Sequence, residues 1–478
     1  MQQEIEDIYR DNEAFRDRIA TVDKQGKRVW MYPKKPQGKL YNARTLVSII
    51  LLFIFFIGPW LKINGNPLFM LNVIEREFYI FGIFFRPQDF HILGLSTITL
   101  FVFIILFTVS FGRIFCGWVC PQTIFMEMVF RKIEYLIEGD SNQQRRLRNQ
   151  PWNGEKIFKK GIKLLIFFII SFLIAHTFLS YIIGPHSVLE IMKDPLSEHL
   201  SGFLTMMAFI GVFMFVFTWL REQVCIAICP YGRLQGVLLG KDSIVISYDN
   251  IRGEPRGKLR KSKKGVESPV DEPAIGDCID CEMCIKVCPT GIDIRNGTQL
   301  ECVNCTACID ACDQIMDKVG KPRKLIRYDS LVGIETGEKK IFRPRTIAYS
   351  AVLVLLLGIV LAIFFSRTDV ETLLLKTPGS LYEKSEEGVI TNMYNFQVIN
   401  KTSDEFEVSF KLEYPGSVLR TIGDETPLIP ANGQGEGILL IDIPADQLLS
   451  RKTILKVDVY SDGEIIDNAK TTFLGPLK

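Results

Sequence analysis

Twelve cysteines carry most of the chemistry open to this sequence, and all fall between Cys116 and Cys312. Eight of them form two runs of identical spacing. The first is Cys278, Cys281, Cys284 and Cys288, followed by Pro289; the second is Cys302, Cys305, Cys308 and Cys312. This is the bacterial spacing for 4Fe-4S ligation, in which three thiolates wrap one corner of a cubane and the fourth reaches the neighbouring cluster. The expected sets are Cys278, Cys281, Cys284 and Cys312 for one cluster, and Cys302, Cys305, Cys308 and Cys288 for the other. A structural zinc ion needs only four ligands, so eight thiols in paired runs are poorly explained by zinc. The tight spacings also argue against a disulfide framework. Asp313 stands where a proline is expected after the second run, which weakens the turn argument there but removes no ligand. Two adjacent clusters store and pass single electrons, so the runs indicate electron transfer.

The other four cysteines form two CxxxCP motifs, Cys116/Cys120-Pro121 and Cys225/Cys229-Pro230, preceded by Arg113 and Arg221. Each follows a pair of apolar segments, so the arrangement reads as an internal repeat. A spacing of four places both sulfurs on one helical face, and proline ends or bends that helix. Two such helix ends side by side bring four thiols together. That set suits a redox relay, Cu(I) or a further iron–sulfur centre; the competing reading is small apolar cysteines packed at helix ends. Of the four histidines, His91, His176, His186 and His199, His176 lies inside an apolar segment, where a polar side chain is costly. With no partner histidine at matching depth, haem is disfavoured and a satisfied hydrogen bond is the simpler role. His186 and His199 share a short loop where a metal is a second option.

The elements that position these residues are membrane helices. Spanning the hydrocarbon takes about 20 apolar residues, and residues 45–61, 90–111, 162–183, 201–220 and 346–365 come near that. Lys and Arg crowd the segment before the first span and the connections after the second and fourth; the other two connections carry few. The positive-inside rule then puts the N-terminus in the cytoplasm and the segment after the fifth span in the periplasm of a bacterial inner membrane. Thiols that ligate metal must stay reduced, and every cysteine falls in or beside a cytoplasmic segment, in agreement. The basic run at 256–264 reads as a solvated topology signal and not as a nucleic-acid patch.

The expected organisation is a cytoplasmic segment (1–44), a membrane region with four spans and both CxxxCP motifs (45–240), and a cytoplasmic segment (241–345) whose core (272–318) is a ferredoxin-like domain. A fifth transmembrane helix (346–366) and an exported domain (370–478) complete it. In that last domain, alternating stretches at 394–399, 406–413, 437–443, 454–460 and 464–473, separated by Gly, Pro, Asn and Asp turns, predict a β-sandwich of immunoglobulin type. The fold class is thus a multidomain membrane protein: an α-helical bundle, a ferredoxin domain for two 4Fe-4S clusters and an immunoglobulin-like β-sandwich.

Taken in this order, the features resemble the CcoG (FixG/RdxA) family of cytochrome c oxidase accessory proteins. The likeness is carried by residues 115–123 (Phe-Cys-Gly-Trp-Val-Cys-Pro-Gln-Thr), 229–233 (Cys-Pro-Tyr-Gly-Arg), 247–249 with 252–257, 325–329 (Leu-Ile-Arg-Tyr-Asp) and 473–476. It spans nearly the whole chain. The resemblance implies a role in assembling cbb3-type cytochrome c oxidase by reducing Cu(II) to Cu(I), with Cys116, Cys120, Cys225 and Cys229 as the redox or copper site. It implies as partners an electron donor, copper-handling proteins and oxidase assembly components, beside membrane lipid; nucleic acid is not among them. Two other readings stand against it: a quinol-linked membrane ferredoxin of another respiratory chain, which the exported β-domain disfavours, and a non-enzymatic assembly scaffold.

Overall fold

Sustained apolar runs without charge fold here as helices that leave most of their side chains uncovered, as a membrane span does. The computed structural model describes residues 21–22, 25, 27–195, 197–258, 275–337, 344–379, 381–385, 388–424, 426–448 and 450–476; most of the basic run at 256–264 lies outside them. Along the chain come α1 (Lys39–Ile57), α2 (Phe90–Phe111), the short α3 (Ile114–Trp118), a π-helical stretch (Ile124–Phe130) leading into α4 (Arg131–Ile137), and α5 (Gly154–Ile183). Next are α6 (Leu200–Phe215) with a π-helical end (Val216–Leu220), α7 (Pro230–Leu238), α8 (Ala307–Val319) and α9 (Pro344–Phe365). Helices α1, α2, α5, α6 and α9 are long and apolar enough to cross a membrane, which makes this a multi-pass membrane protein.

Two helices start earlier than hydropathy predicts. Helix α1 begins at Lys39 because the Asp310 carboxylate accepts from the amides of Leu40 (3.3 Å) and Tyr41 (2.8 Å), capping N–H groups that have no partner within the helix. Helix α5 begins at Gly154 because its first lysines are satisfied: Lys156 donates to the carbonyls of Arg148 and Gln150 at 2.9 and 2.7 Å. Polar helical turns of this kind extend a span beyond its apolar run.

The chain divides into two compact units. The first comprises residues 1–58, 96–180 and 185–357 and holds every cysteine. Its helical part is centred on Phe125, Phe130, Phe167, Ile174 and Phe217, with Phe130 and Phe217 stacked at 4.5 Å. Its ferredoxin part is framed by an antiparallel strand pair, β1 (Val245–Tyr248) and β2 (Ile326–Asp329), which lie before and after the two cysteine runs in sequence. Ile246, Ile292, Ile294, Ile309, Met316, Leu325 and Ile326 fill the core beneath that pair.

The second unit comprises residues 59–95, 181–184 and 358–478. Its β-domain has strands β3 (Val370–Lys376), β4 (Val389–Asn400), β5 (Ser409–Leu412), β6 (Val418–Ile422), β7 (Gln434–Pro444), β8 (Lys452–Ser461) and β9 (Glu464–Leu474). One sheet runs β6-β7-β4-β3 and the other β5-β8-β9. Tyr394, Phe396, Leu439 and Ile441 from the first meet Leu455, Val457, Val459 and Phe473 from the second. Strands β3 and β6 fall outside the predicted stretches. In β3 the inward positions are Val370, Thr372 and Leu374, so a buried threonine hides the alternation; β6 is an edge strand with no buried residue. In the same unit Asp89 is buried between Arg367 (3.1 Å) and Lys401 (2.8 Å).

Candidate functional site: two thiol-lined cavities and a four-cysteine junction

The ferredoxin part holds two thiol-lined pockets. One is lined by Cys278, Cys281, Cys284 and Cys312 with Tyr248, Met316 and Leu325. The other is lined by Cys284, Cys288, Cys302, Cys305 and Cys308 with Ile246, Ile292 and Val303. Thiols in a largely apolar shell suit a 4Fe-4S cubane in each pocket; the first lining joins three cysteines of the first run to Cys312, and the second joins three of the second run to Cys288, with Cys284 shared by both. Burial pushes the thiols of Cys284, Cys302 and Cys312 up to about 12 and that of Cys305 to about 11. Such thiols give up their protons when a cation compensates the charge, as iron does.

The backbone is shaped for the same ligand. Asp280 and Glu282 in the first run, and Asn304 and Thr306 at the equivalent places in the second, all have positive φ (52°, 57°, 53° and 66°). Left-handed residues alternating along a loop turn successive amides inward, the nest arrangement that accepts anionic sulfur. Asp and Asn tolerate this conformation, whereas threonine there is a clear departure. After the first run Pro289 halts the helix at Met283–Lys286; after the second, Asp313 permits α8 to continue to Val319 and accepts from the Lys324 amide at 2.8 Å. The missing proline therefore exchanges a turn for a longer helix.

In neither CxxxCP motif do the two cysteines share a helical face, contrary to the expectation from spacing. Cys116 lies in α3 and Cys225 in a π-helical turn (Val224–Ile228), but Cys120 and Cys229 have non-helical backbones and stand at the N-cap of the next helix, whose first residue is the proline. Proline is suited to that first position because its missing N–H costs nothing there. The repeat nonetheless unites the sulfurs electrostatically: Cys120 and Cys229 each act on Cys116, and all three act on Cys225. Burial is the larger effect, pushing Cys116 up to about 11 and Cys225 to about 12. Cys116 also meets the fully buried Gln235, whose amide nitrogen is 3.4 Å from the sulfur.

This junction sits on the second cluster cavity. Cys116 and Cys225 pack against a core of Val287, Val303, Cys305, Ala307 and Ala311. The approach is close enough to demand Gly117, where a Cβ would come 2.5 Å from the Asn304 carbonyl oxygen and 2.6 Å from that of Val303. Arg44 of α1 donates to the Gly117 carbonyl at 2.6 Å. Trp118 donates to the Tyr328 hydroxyl (3.3 Å), which donates to the Asn304 carbonyl (3.1 Å).

The two arginines cross over. Arg113 donates to the carbonyls of Gly232, in α7 after the second motif, and of Leu300 in the cluster loop. Arg221, before the second motif, makes a two-pronged bond to Glu134 in α4 after the first, at 3.0 and 2.8 Å. Around this pair Arg131 meets Glu127 (3.1 Å) and Glu222 (3.5 Å), Arg28 meets Glu222 (3.1 Å), and Lys163 bridges Glu134 and Glu138. Burial pushes the Glu134 carboxyl up, but Arg221, Lys163 and Arg131 outweigh it and hold it below the usual carboxylate range.

The histidines stay apart from the thiols. His176 Nδ1 lies 2.9 Å from the Phe172 carbonyl oxygen, which satisfies it within its own helix. His199 meets Asp194 at 3.1 Å in an exposed group with Glu198; His186 is not part of it. Sequence reasoning missed Gln235, Glu134, Glu222, Asn304 and Gly117, which lie outside any metal-ligand spacing; only the glycine inside a CxxxC loop hinted at a close approach.

Comparison with known proteins agrees with this architecture. Residues 220–331 match the 4Fe-4S dicluster domain, residues 93–138 a 4Fe-4S binding domain, and residues 360–476 the IG-like fold at the C-terminal of FixG. The chain is 33% identical to protein RdxB of Cereibacter sphaeroides over 429 residues, covering 84% of this chain and 87% of that one. It is 30% identical to RdxA of the same organism (87% and 89% covered) and 30% identical to the nitrogen fixation protein FixG of Rhizobium meliloti (84% and 82% covered). With its thiol-lined cavities, its membrane helices and its C-terminal sandwich, the chain belongs to the FixG/RdxA family of iron–sulfur electron-transfer proteins.

Proposed function

We propose that this protein is a cupric reductase of the bacterial inner membrane, which takes up Cu(II), adds one electron and passes on Cu(I) for assembly of a cbb3-type cytochrome c oxidase. The observation that carries the reading is the packing of Cys116 and Cys225 on the wall of the cavity lined by Cys288, Cys302, Cys305 and Cys308. The Val303 and Asn304 carbonyls that crowd Gly117 of the first motif belong to the loop that lines that cavity, so the junction and the second cluster's thiols are neighbours. Bound 4Fe-4S clusters supply single electrons at low potential. In this reading Cys278, Cys281, Cys284 and Cys312 hold one cluster, and Cys302, Cys305, Cys308 and Cys288 hold the other.

The junction cysteines act on copper as ligands. Soft thiolates favour Cu(I) over Cu(II), so a thiolate pair shifts the equilibrium toward the reduced ion once an electron is supplied. The Gln235 amide steadies Cys116 for that role. Both motifs lie in or beside Lys- and Arg-rich connections, which supports reduction on the cytoplasmic side, while the C-terminal sandwich faces the periplasm and offers a docking module for copper-handling and assembly proteins. The test is Cu(II) reduction by purified protein with its clusters chemically reduced. Cys225→Ser/Cys229→Ser protein with full iron content is expected to lose the activity; undiminished reduction would sink the proposal.

A further inference from the structure

A second site lies away from the thiols. A solvent-open cavity of about 260 Å3 lies among the N-terminal arm, α4, α5 and the end of α6. Its lining presents Trp30, Tyr32, Arg148, Lys160, Lys163 and Arg221 together with Glu134 and Glu138. The charges around it do not cancel. Arg28, Arg131, Arg148, Lys160, Lys163 and Arg221 face only Glu127, Glu134, Glu138 and Glu222 among the described residues. The carboxylates are already shared: Glu138 lies 2.8 Å from both Lys160 and Lys163, and Glu134 serves Arg221 and Lys163. Arg148 meets no carboxylate among the described residues. Its guanidinium instead lies over the rings of Trp30 (5.4 Å) and Tyr32 (6.0 Å). An excess of positive charge in a partly buried network is costly unless an anion offsets it.

The position of the cavity fits one kind of anion. Lys163 immediately precedes the apolar run that opens at Leu164, and Thr218 lies in the last turn of the α6 span. The cavity therefore sits where two spans pass from apolar to polar surface at the same end. Exposed Trp219 and Trp152 flank those ends, as residues favoured by the headgroup region do. Basic pockets between membrane helices are suited to phosphate-bearing headgroups.

We infer that this cavity binds a phosphoryl anion, with the cations Arg148, Lys160 and Lys163 as its contacts and Trp30 and Tyr32 as the wall behind it. The chemistry is shared by the headgroup of an acidic phospholipid and by free phosphate, and the experiment separates them. Full-length protein in phosphatidylcholine nanodiscs is titrated with phosphatidylglycerol in the disc, or with inorganic phosphate in solution. Thermal unfolding is followed, and retained lipid is counted by native mass spectrometry. Phosphatidylglycerol is expected to raise the unfolding midpoint and stay bound, with affinity about tenfold or more weaker in Arg148→Gln/Lys160→Gln protein. Lys159→Gln, which removes a surface lysine paired with Glu155, controls for general charge and should match the unaltered protein. Stabilisation by phosphate alone assigns the site to a soluble anion, and stabilisation by lipid alone to a headgroup; either upholds a phosphoryl site. No stabilisation by either, or an equal effect in the double variant, overturns it. Arg148→Gln alone, at an exposed side chain, keeps the test readable if the double variant folds poorly.

Discussion

Arg113, three residues before Cys116, donates to the carbonyl of Gly232 in the helix that follows the other CxxxCP motif. Its counterpart Arg221 returns the contact to Glu134, behind the first motif, at 2.8 Å. Each half of the repeat is thus fastened by the arginine of the other, and the four thiols are held at a junction that neither half could form alone. Both arginines are buried.

Arg113→Ala removes a buried guanidinium from the half-buried carbonyls of Gly232 and Leu300, a loss of about 1 kcal/mol for each hydrogen bond. Because those carbonyls belong to α7 and to the cluster loop, the expected result is loosened junction geometry. Titration with a chromophoric chelator should find weaker Cu(I) binding, with iron content close to that of the unaltered protein.

Glu134→Gln breaks a buried pair and leaves Arg221 only the longer contact to Glu222 at 3.7 Å, which is expected to destabilise the fold by about 3 kcal/mol. Replacing both with apolar residues should recover much of that loss. The folded pKa of Glu134 is depressed, so its contribution is complete above the ordinary carboxylate value of about 4.3 and disappears as pH falls through the folded value. Denaturant midpoints of the two proteins should differ by a constant amount from about pH 6 to 8 and converge only in acid.

Gly117→Ala tests how close the junction must sit to the cluster loop. The added methyl meets backbone oxygens at 2.5 and 2.6 Å, and these cannot rotate away. Overpacking of this sort costs about 1–3 kcal/mol. Slower Cu(II) reduction with unchanged iron is the expected outcome; an unchanged rate means that the close approach does not govern transfer.

Copper affinity at the junction should rise with pH. Burial pushes the thiols of Cys116 and Cys225 up to about 11 and about 12, which favours the protonated form at neutral pH, so each is expected to give up a proton on binding metal. The binding constant then gains about tenfold per pH unit for each proton released. Competition titrations at several pH values below the thiol range measure the slope directly.

Cluster partition can be read from iron content. Cys288→Ser and Cys302→Ser line the same cavity, so combining them should remove about four irons per chain, no more than either alone. Cys288→Ser with Cys278→Ser touches both cavities and should remove about eight. Equal losses in the two double variants would contradict the crossed arrangement.

The two 4Fe-4S runs, the five spans and the C-terminal sandwich were legible in the chain itself. Each rests on a local rule: ligand spacing that a cubane dictates, about 20 apolar residues for a bilayer, alternation of two for a strand with one buried face. Cys278 and Cys312 lie far apart in sequence, yet the crossing of runs that puts them in one cavity is itself a spacing rule. The junction was another matter. Spacing suggested that Cys116 and Cys120 share a helical face, but proline at the first position of the next helix forces the preceding residue out of helical conformation. Gln235 against Cys116, Glu134 against Arg221, and Gly117 against the cluster loop all join residues distant in sequence, chosen by side-chain packing and burial. No periodicity records such contacts, because they depend on where whole elements come to rest, and that is decided only when the helices and the cluster domain pack together.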